Sequence, residues 1–149
     1  MIYDGMVGTR HTHGISRIAV TMFKTHVTTD VIGTDIDADN EQLRFTGGYD
    51  HNFCINGWDG KLREIAVAEG DISGIKMHVY TTLPGVQFYA GNFLKGIAGK
   101  GSKPMEKRSG FCLETQFYPD TPHNAAFPLC FYKAGEKYVS ETVYEFSAK

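Results

Sequence analysis

The chain has 149 residues, of which 42% are hydrophobic, and its 15 basic and 17 acidic residues give a net charge of −2. This composition is typical of a globular chain that is long enough for one domain of ordinary size. The near balance of charge argues against a nucleic acid or an anionic membrane as partner, and no apolar run approaches the ~20 residues of a membrane helix.

The N-terminus and the cysteines indicate the compartment. MIYDGMVGTRHTHG lacks the basic and apolar regions of a signal peptide. Cys54, Cys112 and Cys130 have no metal-type spacing, and three thiols cannot all pair. We therefore expect reduced thiols in a cytoplasmic protein.

The segment GISRIAVTMFKTH (14–26) has apolar residues at the spacing of a weak amphipathic helix. Its β-branched residues lower the helix propensity. The residues on the predicted helix face are Ile15, Ile18, Ala19, Met22, Phe23 and His26.

From about residue 43 onward the pattern is that of short β-strands. IKMHVYTTL (75–83) alternates strictly, with Ile75, Met77 and Val79 on the predicted buried face, and KYVSETVYEF (137–146) also has period two. NGWDG (56–60), between two apolar runs, indicates a hairpin loop. Several short strands at such spacing predict an antiparallel β-sandwich or barrel.

Residues 95–110, KGIAGKGSKPMEKRSG, are rich in Gly and Lys and have no periodicity. Their GKGSK sequence lacks the spacing of a phosphate-binding Walker motif. We expect a solvated loop.

A single acid stands out in FCLETQFYP (111–119). As a strand, this segment places Glu114 on one face with Gln116, while Leu113 lies on the other. Glu114 is then either a general base beneath a cleft or an exposed strand carboxylate, and this segment alone favours the second.

Two further segments carry polar residues suited to a sugar. GGYDHNF (47–53) delivers Asp50 to a strand start, and TTLPGVQFYAGNFL (81–94) places Gln87 and Tyr89 on one strand face. A carboxylate and an amide suit a hydroxyl-rich ligand. The alternatives are a turn-forming Asp50 and a Gln87 with only a structural role.

Together, GGYDHNFCING, TTLPGVQFYAGNFL and CLETQFYPDTPHNAAFP closely resemble, in order and spacing, the signatures of aldose 1-epimerases (galactose mutarotases). SGIKMHVYTT and AGEKYVSETVYEF resemble that family as well. The resemblance covers about residues 33–149, the C-terminal part of a protein about twice as long. Residues 1–32 form an atypical N-terminal segment, irregular or helical, where a truncated or frame-shifted gene is one explanation.

The resemblance implies a galactose mutarotase-like β-sandwich that interconverts the α and β anomers of free hexoses without metal or organic cofactor. It implies Glu114 as the general base, and Asp50 and Gln87 as ligands of sugar hydroxyls. Since partial burial in an aromatic cleft suits a carboxylate that acts as a base, we expect Glu114 to be partly buried. Phosphorylated hexoses are not expected, because no Arg cluster accompanies these motifs.

The family's catalytic histidine, in an NHxYFNL-like motif, has no counterpart in this sequence. His11, His13 and His26 suggest a metal site or a substitute acid, but a solvated terminus is the simpler interpretation. We expect His51 to be a structural hydrogen-bonder beside Asp50, and His123 to lie in a surface turn.

The missing part of the sandwich leaves three functional alternatives. They are an epimerase, a half-enzyme whose acid comes from a companion chain, and a sugar-binding module without catalysis. Since fewer strands leave apolar faces and strand edges uncovered, we expect self-association, a companion chain or local rearrangement.

Overall fold

The structure, a computed structural model, describes residues 18–22, 28–29 and 32–148, with side chains over residues 32–148. Its secondary structure is mostly short β-strands. The strands are β1 Ile18–Met22, β2 Thr28–Thr29, β3 Asp50–Cys54, β4 Arg63–Gly70, β5 Lys76–Thr81, β6 Gly85–Tyr89, β7 Ile97–Ala98, β8 Pro104–Met105, β9 Cys112–Gln116 and β10 Thr142–Ser147. The helices are α1 Ile32–Asp35 and α2 Glu41–Thr46, with 3₁₀ turns at Lys100–Ser102 and Thr121–His123.

Two antiparallel sheets contain most of the strands. The larger sheet has the order β10-β5-β4-β1-β2, and the smaller has the order β3-β6-β9. Strands β7 and β8 form a separate hairpin inside the predicted loop 95–110. Among the described residues, strand β9 pairs only with β6, on one of its two sides.

The core lies between the two sheets. Ile65 and Val79 from the larger sheet and Val86 and Phe88 from the smaller one are fully buried in a single apolar cluster. The rings of Phe88 and Phe111 meet edge to face, with their centroids 6.1 Å apart, a favourable aromatic geometry. This packing of sheet on sheet confirms the predicted antiparallel β-sandwich.

Strand β5 shows how the alternation in the sequence becomes burial. Met77 and Val79 are buried, while Lys76 and His78, which alternate with them, are only half-buried. The predicted extent of two strands was too long. Ile75 precedes β5 and is 42% exposed, and β10 begins at Thr142, because residues 137–141 pair with no strand.

The predicted helix over residues 15–26 is wrong at residues 18–22, which form β1. Strand β1 pairs along its whole length with β4. The β-branched residues of this stretch disfavour a helix, and the neighbouring strand supplies the backbone hydrogen bonds. The rest of the predicted helix lies outside the described residues.

The prediction of a hairpin at NGWDG is also wrong, because β3 and β4 belong to different sheets. The connection crosses between the sheets and is held there by a non-local contact. The Trp58 indole donates a hydrogen bond of 2.8 Å from Nε1 to the carbonyl of Thr82, which lies in the β5–β6 connection between the same two sheets.

An ion pair with a buried guanidinium joins the helical segment to the loop before β9. Arg108 is only 6% exposed, and both of its terminal nitrogens bind the carboxylate of Asp37, one of them at 2.6 Å. The same guanidinium also donates to the carbonyl of Gly47 at 3.3 Å. This bidentate pair closes the end of the sandwich next to β3.

Candidate functional site

One face of the smaller sheet is polar, and it carries all three site residues predicted from the sequence. In the strand register, Asn52 of β3 lies opposite Gln87 of β6, which lies opposite Glu114 of β9. Residues that are directly opposite in neighbouring strands share a face. We call this surface the polar face; its side chains are Asp50, Asn52, Cys54, Gln87, Tyr89, Cys112, Glu114 and Gln116.

The polar face exists because strand alternation sends the apolar residues to the opposite side. Val86, Phe88 and Leu113, one position away from the polar residues, are buried in the core. The core therefore fixes the register, since a slip by one residue would expose this apolar set. The predicted division of β9 into a polar and an apolar face is confirmed.

Asp50 and Gln87 are in direct contact. Gln87 donates a hydrogen bond of 2.8 Å from Nε2 to Oδ1 of Asp50. A carboxylate oxygen can accept several hydrogen bonds, and an amide nitrogen has two hydrogens to donate. The pair therefore retains donors and acceptors for the hydroxyl groups of a ligand.

Glu114 lies at the edge of the polar face, next to Gln87. Its cross-strand position puts the Cβ atoms of the two residues roughly 4.5–5.5 Å apart. Glu114 opens onto a cleft of about 590 Å³ that runs along the unpaired side of β9. The cleft residues are Phe111, Cys112, Leu113, Glu114, Thr115, Thr142, Tyr144 and Phe146.

The burial expected for Glu114 is not observed. Its side chain is exposed, and the cleft beside it is open to solvent. The reason is that β9 is an edge strand, so that the described residues provide no wall beyond Tyr144 and Phe146, themselves 42% and 55% exposed.

Two further residues of the polar face, Asn52 and Gln116, were not assigned to the site from the sequence, although Gln116 was placed on the face of Glu114. Gln116 donates from Nε2 to Oδ1 of Asn52 at 3.0 Å and approaches Oε1 of Gln87 at 3.5 Å. Both residues lie two positions from a predicted site residue, Gln116 from Glu114 and Asn52 from Asp50. Period-two spacing alone was the signal that would have found them.

The absence of a side chain at Gly85 leaves space for the Asn52 amide and the Tyr118 ring. A Cβ atom at this position would lie 2.7 Å from Oδ1 of Asn52 and 3.0 Å from a ring carbon of Tyr118. Burial, with a contribution from the neighbouring Cys54, raises the pKa of Tyr118 to about 12. The phenol therefore stays protonated well above the pH at which a free tyrosine ionises, and it closes this end of the polar face.

Two groups beside Glu114 also remain in their neutral forms. Burial raises the pKa of the Cys112 thiol, and the Glu114 carboxylate adds to this shift. Burial likewise raises the pKa of Tyr144, with smaller contributions from the neighbouring Cys112 and Glu114.

The histidines with described side chains lie away from the polar face. His51 faces the other side of β3, and its Nδ1 accepts the backbone N–H of Asp50 at 3.1 Å, which confirms its structural role. His78 belongs to the larger sheet and contacts Glu64. His123 is exposed in a 3₁₀ turn next to Asp120, as predicted.

No group of three His, Cys, Asp or Glu side chains suited to a metal ion occurs in the part of the chain that the structure describes. His11, His13 and His26, the metal or acid candidates of the sequence, lie outside it. A search of the described residues for a helix long and apolar enough to cross a membrane finds none.

Comparison with known proteins gives the fold first. The crystal structure of a GalM/aldose epimerase homologue from C. elegans superposes with a TM-score of 0.68 at 19% sequence identity, covering 95% of this chain and 49% of that one. The described sandwich therefore has the fold of part of that protein.

Sequence comparison then gives the family. A family model for aldose 1-epimerase matches residues 14–145. The chain is 48% identical over 101 residues to galactose mutarotase of Bos taurus and 37% identical over 139 residues to aldose 1-epimerase of Escherichia coli (strain K12). These alignments cover 67% and 91% of this chain. The chain belongs to the aldose 1-epimerase family.

The chain is much shorter than these relatives, since the matched regions are 29% of the Bos taurus protein and 39% of the E. coli protein. The family match also begins at residue 14, upstream of residue 33, where the motifs of the resemblance start. The division of the chain at residues 32 and 33 stays a prediction.

Proposed function

We propose that this chain forms the sugar-binding face and supplies the general base of an aldose 1-epimerase acting on free hexoses such as galactose or glucose. The observation that carries the proposal is the contiguity of Asp50, Gln87 and Glu114. Gln87 is hydrogen-bonded to Asp50 and lies opposite Glu114 in the register. Three separate segments thus present a hydroxyl-binding pair beside a carboxylate.

In the proposed reaction, Glu114 removes the proton from the anomeric hydroxyl. As the C1–O1 bond becomes a carbonyl, the C1–O5 bond breaks, and an acid protonates O5. Rotation about C1–C2 and reversal of these steps close the ring with O1 on the other face. Base and acid each contribute typically 10²–10⁴-fold, while Asp50 and Gln87 hold the hydroxyls that do not react.

We assign the acid to none of the histidines of residues 32–148, because His51, His78 and His123 contact the Asp50 backbone, Glu64 and Asp120 respectively. This observation favours a second candidate function, in which the chain binds an aldose but is inactive alone. A companion chain that supplies the acid would restore turnover.

Polarimetry with freshly dissolved α-galactose tests the proposal, together with titration calorimetry of galactose binding. The decisive variant is Glu114→Gln, which keeps the shape and removes the base. Glu145→Gln is its matched control, because Glu145 lies on β10 with its side chain hydrogen-bonded to Tyr80, on the opposite side of the strand from Tyr144 in the cleft. Asp50→Asn tests binding.

We expect galactose binding that Asp50→Asn weakens roughly 10-fold or more, as for the loss of a charged hydrogen bond. Mutarotation above the buffer rate that disappears in Glu114→Gln and persists in Glu145→Gln would support catalysis by this chain. Binding with equal rates for chain, variants and buffer would support the sugar-binding function. A chain that binds no hexose would overturn both.

A further inference from the structure

The side chains of the polar face form a hydrogen-bond chain with a single direction. Asp50, as a carboxylate, only accepts hydrogen bonds, so the Gln87 amide must present its nitrogen to it. The Gln87 oxygen then points towards β9, where Gln116 presents its own nitrogen at 3.5 Å. The same nitrogen donates to the oxygen of Asn52 at 3.0 Å.

The opposite orientation of the Gln87 amide would be unfavourable at both ends. Its oxygen would face the Asp50 oxygen, now 2.8 Å from the nitrogen, and its nitrogen would face the Gln116 nitrogen. Two acceptor oxygens, or two donor nitrogens, at this distance form no hydrogen bond and repel each other. Asn52 extends the same order, since its nitrogen approaches Sγ of Cys54 at 3.8 Å.

We infer that Gln116 is a positioning residue that, together with Asp50, holds the orientation of Gln87 and thereby the pattern of donors and acceptors offered to a sugar hydroxyl. The inference rests on the proposed function for its consequence, although the orientation itself is a property of the free protein. Gln116 acts through Gln87 and is not a catalytic residue.

Gln116 is well placed for this role because it is held from two sides. Strand β9 aligns it with Gly85, whose missing Cβ admits the Asn52 amide to which Gln116 donates. It is half-buried, and its hydrogen bonds to side chains on two other strands restrict its rotamers. A glutamine without these contacts would sample several rotamers, and Gln87 would then be held by Asp50 at its nitrogen alone.

The test compares Gln116→Glu, which only accepts hydrogen bonds, and Gln116→Met, which forms none, with the control Gln42→Glu on exposed α2. The chain has three glutamines, Gln42, Gln87 and Gln116, so ¹⁵N labelling of glutamine side chains resolves the Gln87 amide by NMR. We expect both variants at position 116 to shift the Gln87 amide signals and speed their exchange with water, while Gln42→Glu leaves them unchanged.

Galactose titration of the same proteins gives the functional readout. We expect about 5- to 20-fold weaker binding in the two Gln116 variants, the scale of one or two hydrogen bonds. Because Gln116 acts through Gln87, the double variant Gln87→Met with Gln116→Met should bind galactose no more weakly than Gln87→Met alone. Unchanged Gln87 signals would overturn the inference whether or not galactose binds. Moved signals with unchanged affinity would overturn its role in recognition. If the native chain binds no galactose while the Gln87 signals move, the proposed function fails and the positioning stands.

Discussion

The hydroxyl of Tyr144 donates a hydrogen bond of 2.6 Å to the carbonyl of Leu113, the residue before Glu114. This bond joins β10 of the larger sheet to the unpaired edge of β9 in the smaller one. A second side-chain hydrogen bond between the same two strands joins the hydroxyls of Thr115 and Thr142, which lie 2.6 Å apart. The strand that carries Glu114 is thus held by side chains on the side where no strand of the described residues pairs with it.

Replacing Tyr144 by phenylalanine removes the first of these bonds without removing the ring. We expect a loss of about 1 kcal/mol in the free energy of unfolding, or a fall of about 2–4 °C in melting temperature, measured by circular dichroism. Tyr138→Phe is the matched control, because the Tyr138 hydroxyl has no hydrogen-bond partner among the described residues. Equal melting temperatures for the Tyr144 variant and the native chain would contradict the prediction.

A methyl group at Gly85 would collide with Oδ1 of Asn52, 2.7 Å away, and with the ring of Tyr118, 3.0 Å away. We expect Gly85→Ala to destabilise the fold by about 1–3 kcal/mol through overpacking, measured by urea unfolding. Asn52→Ala removes the closest contact, so Gly85→Ala should cost less in that background. The same cost in both backgrounds would rule out this collision as the cause.

Alkaline pH should weaken the fold through Tyr118. Its pKa is raised from the model-compound value of 10.0 to about 12, so the folded state binds the phenolic proton more tightly than the unfolded state does. This contribution to stability is complete below pH 10 and is lost as the pH rises towards 12. Urea unfolding across this range should show that the free energy of unfolding falls further for the native chain than for Tyr118→Phe. The difference should stay below about 2 kcal/mol, since the partly buried phenol is screened by solvent. Parallel curves would refute the assignment.

The apolar surface of the C-terminal region should make the chain self-associate. Leu129, Phe131 and Val139 are 74%, 63% and 70% exposed, in the stretch before β10 that pairs with no strand. Exposed apolar surface of this kind favours association. Sedimentation velocity should show concentration-dependent species that Leu129→Glu with Phe131→Glu reduces. Phe45→Glu, which changes an isolated side chain 73% exposed on α2, should not; a compact monomer at high concentration would contradict the expectation.

Local sequence determined the faces of the strands correctly. The alternation placed Glu114 and Gln87 on one face of their strands and their neighbours Leu113 and Phe88 on the other, buried face. Burial of one face follows from a period of two. The motifs also led to the family. The failures at NGWDG and at residues 18–22 share one cause, since β3 pairs with β6 and β1 pairs with β4, and both partners lie far away in the chain.

The sequence by itself therefore determined which residues are polar on each strand and to which family the chain belongs. Only the tertiary structure decided that β3, β6 and β9 are neighbours. It also decided that the Gln87 amide contacts Asp50 through its nitrogen and Gln116 through its oxygen. Only the tertiary structure, too, left Glu114 exposed on an edge strand. Strand order and burial depend on contacts between distant segments, which local periodicity does not encode.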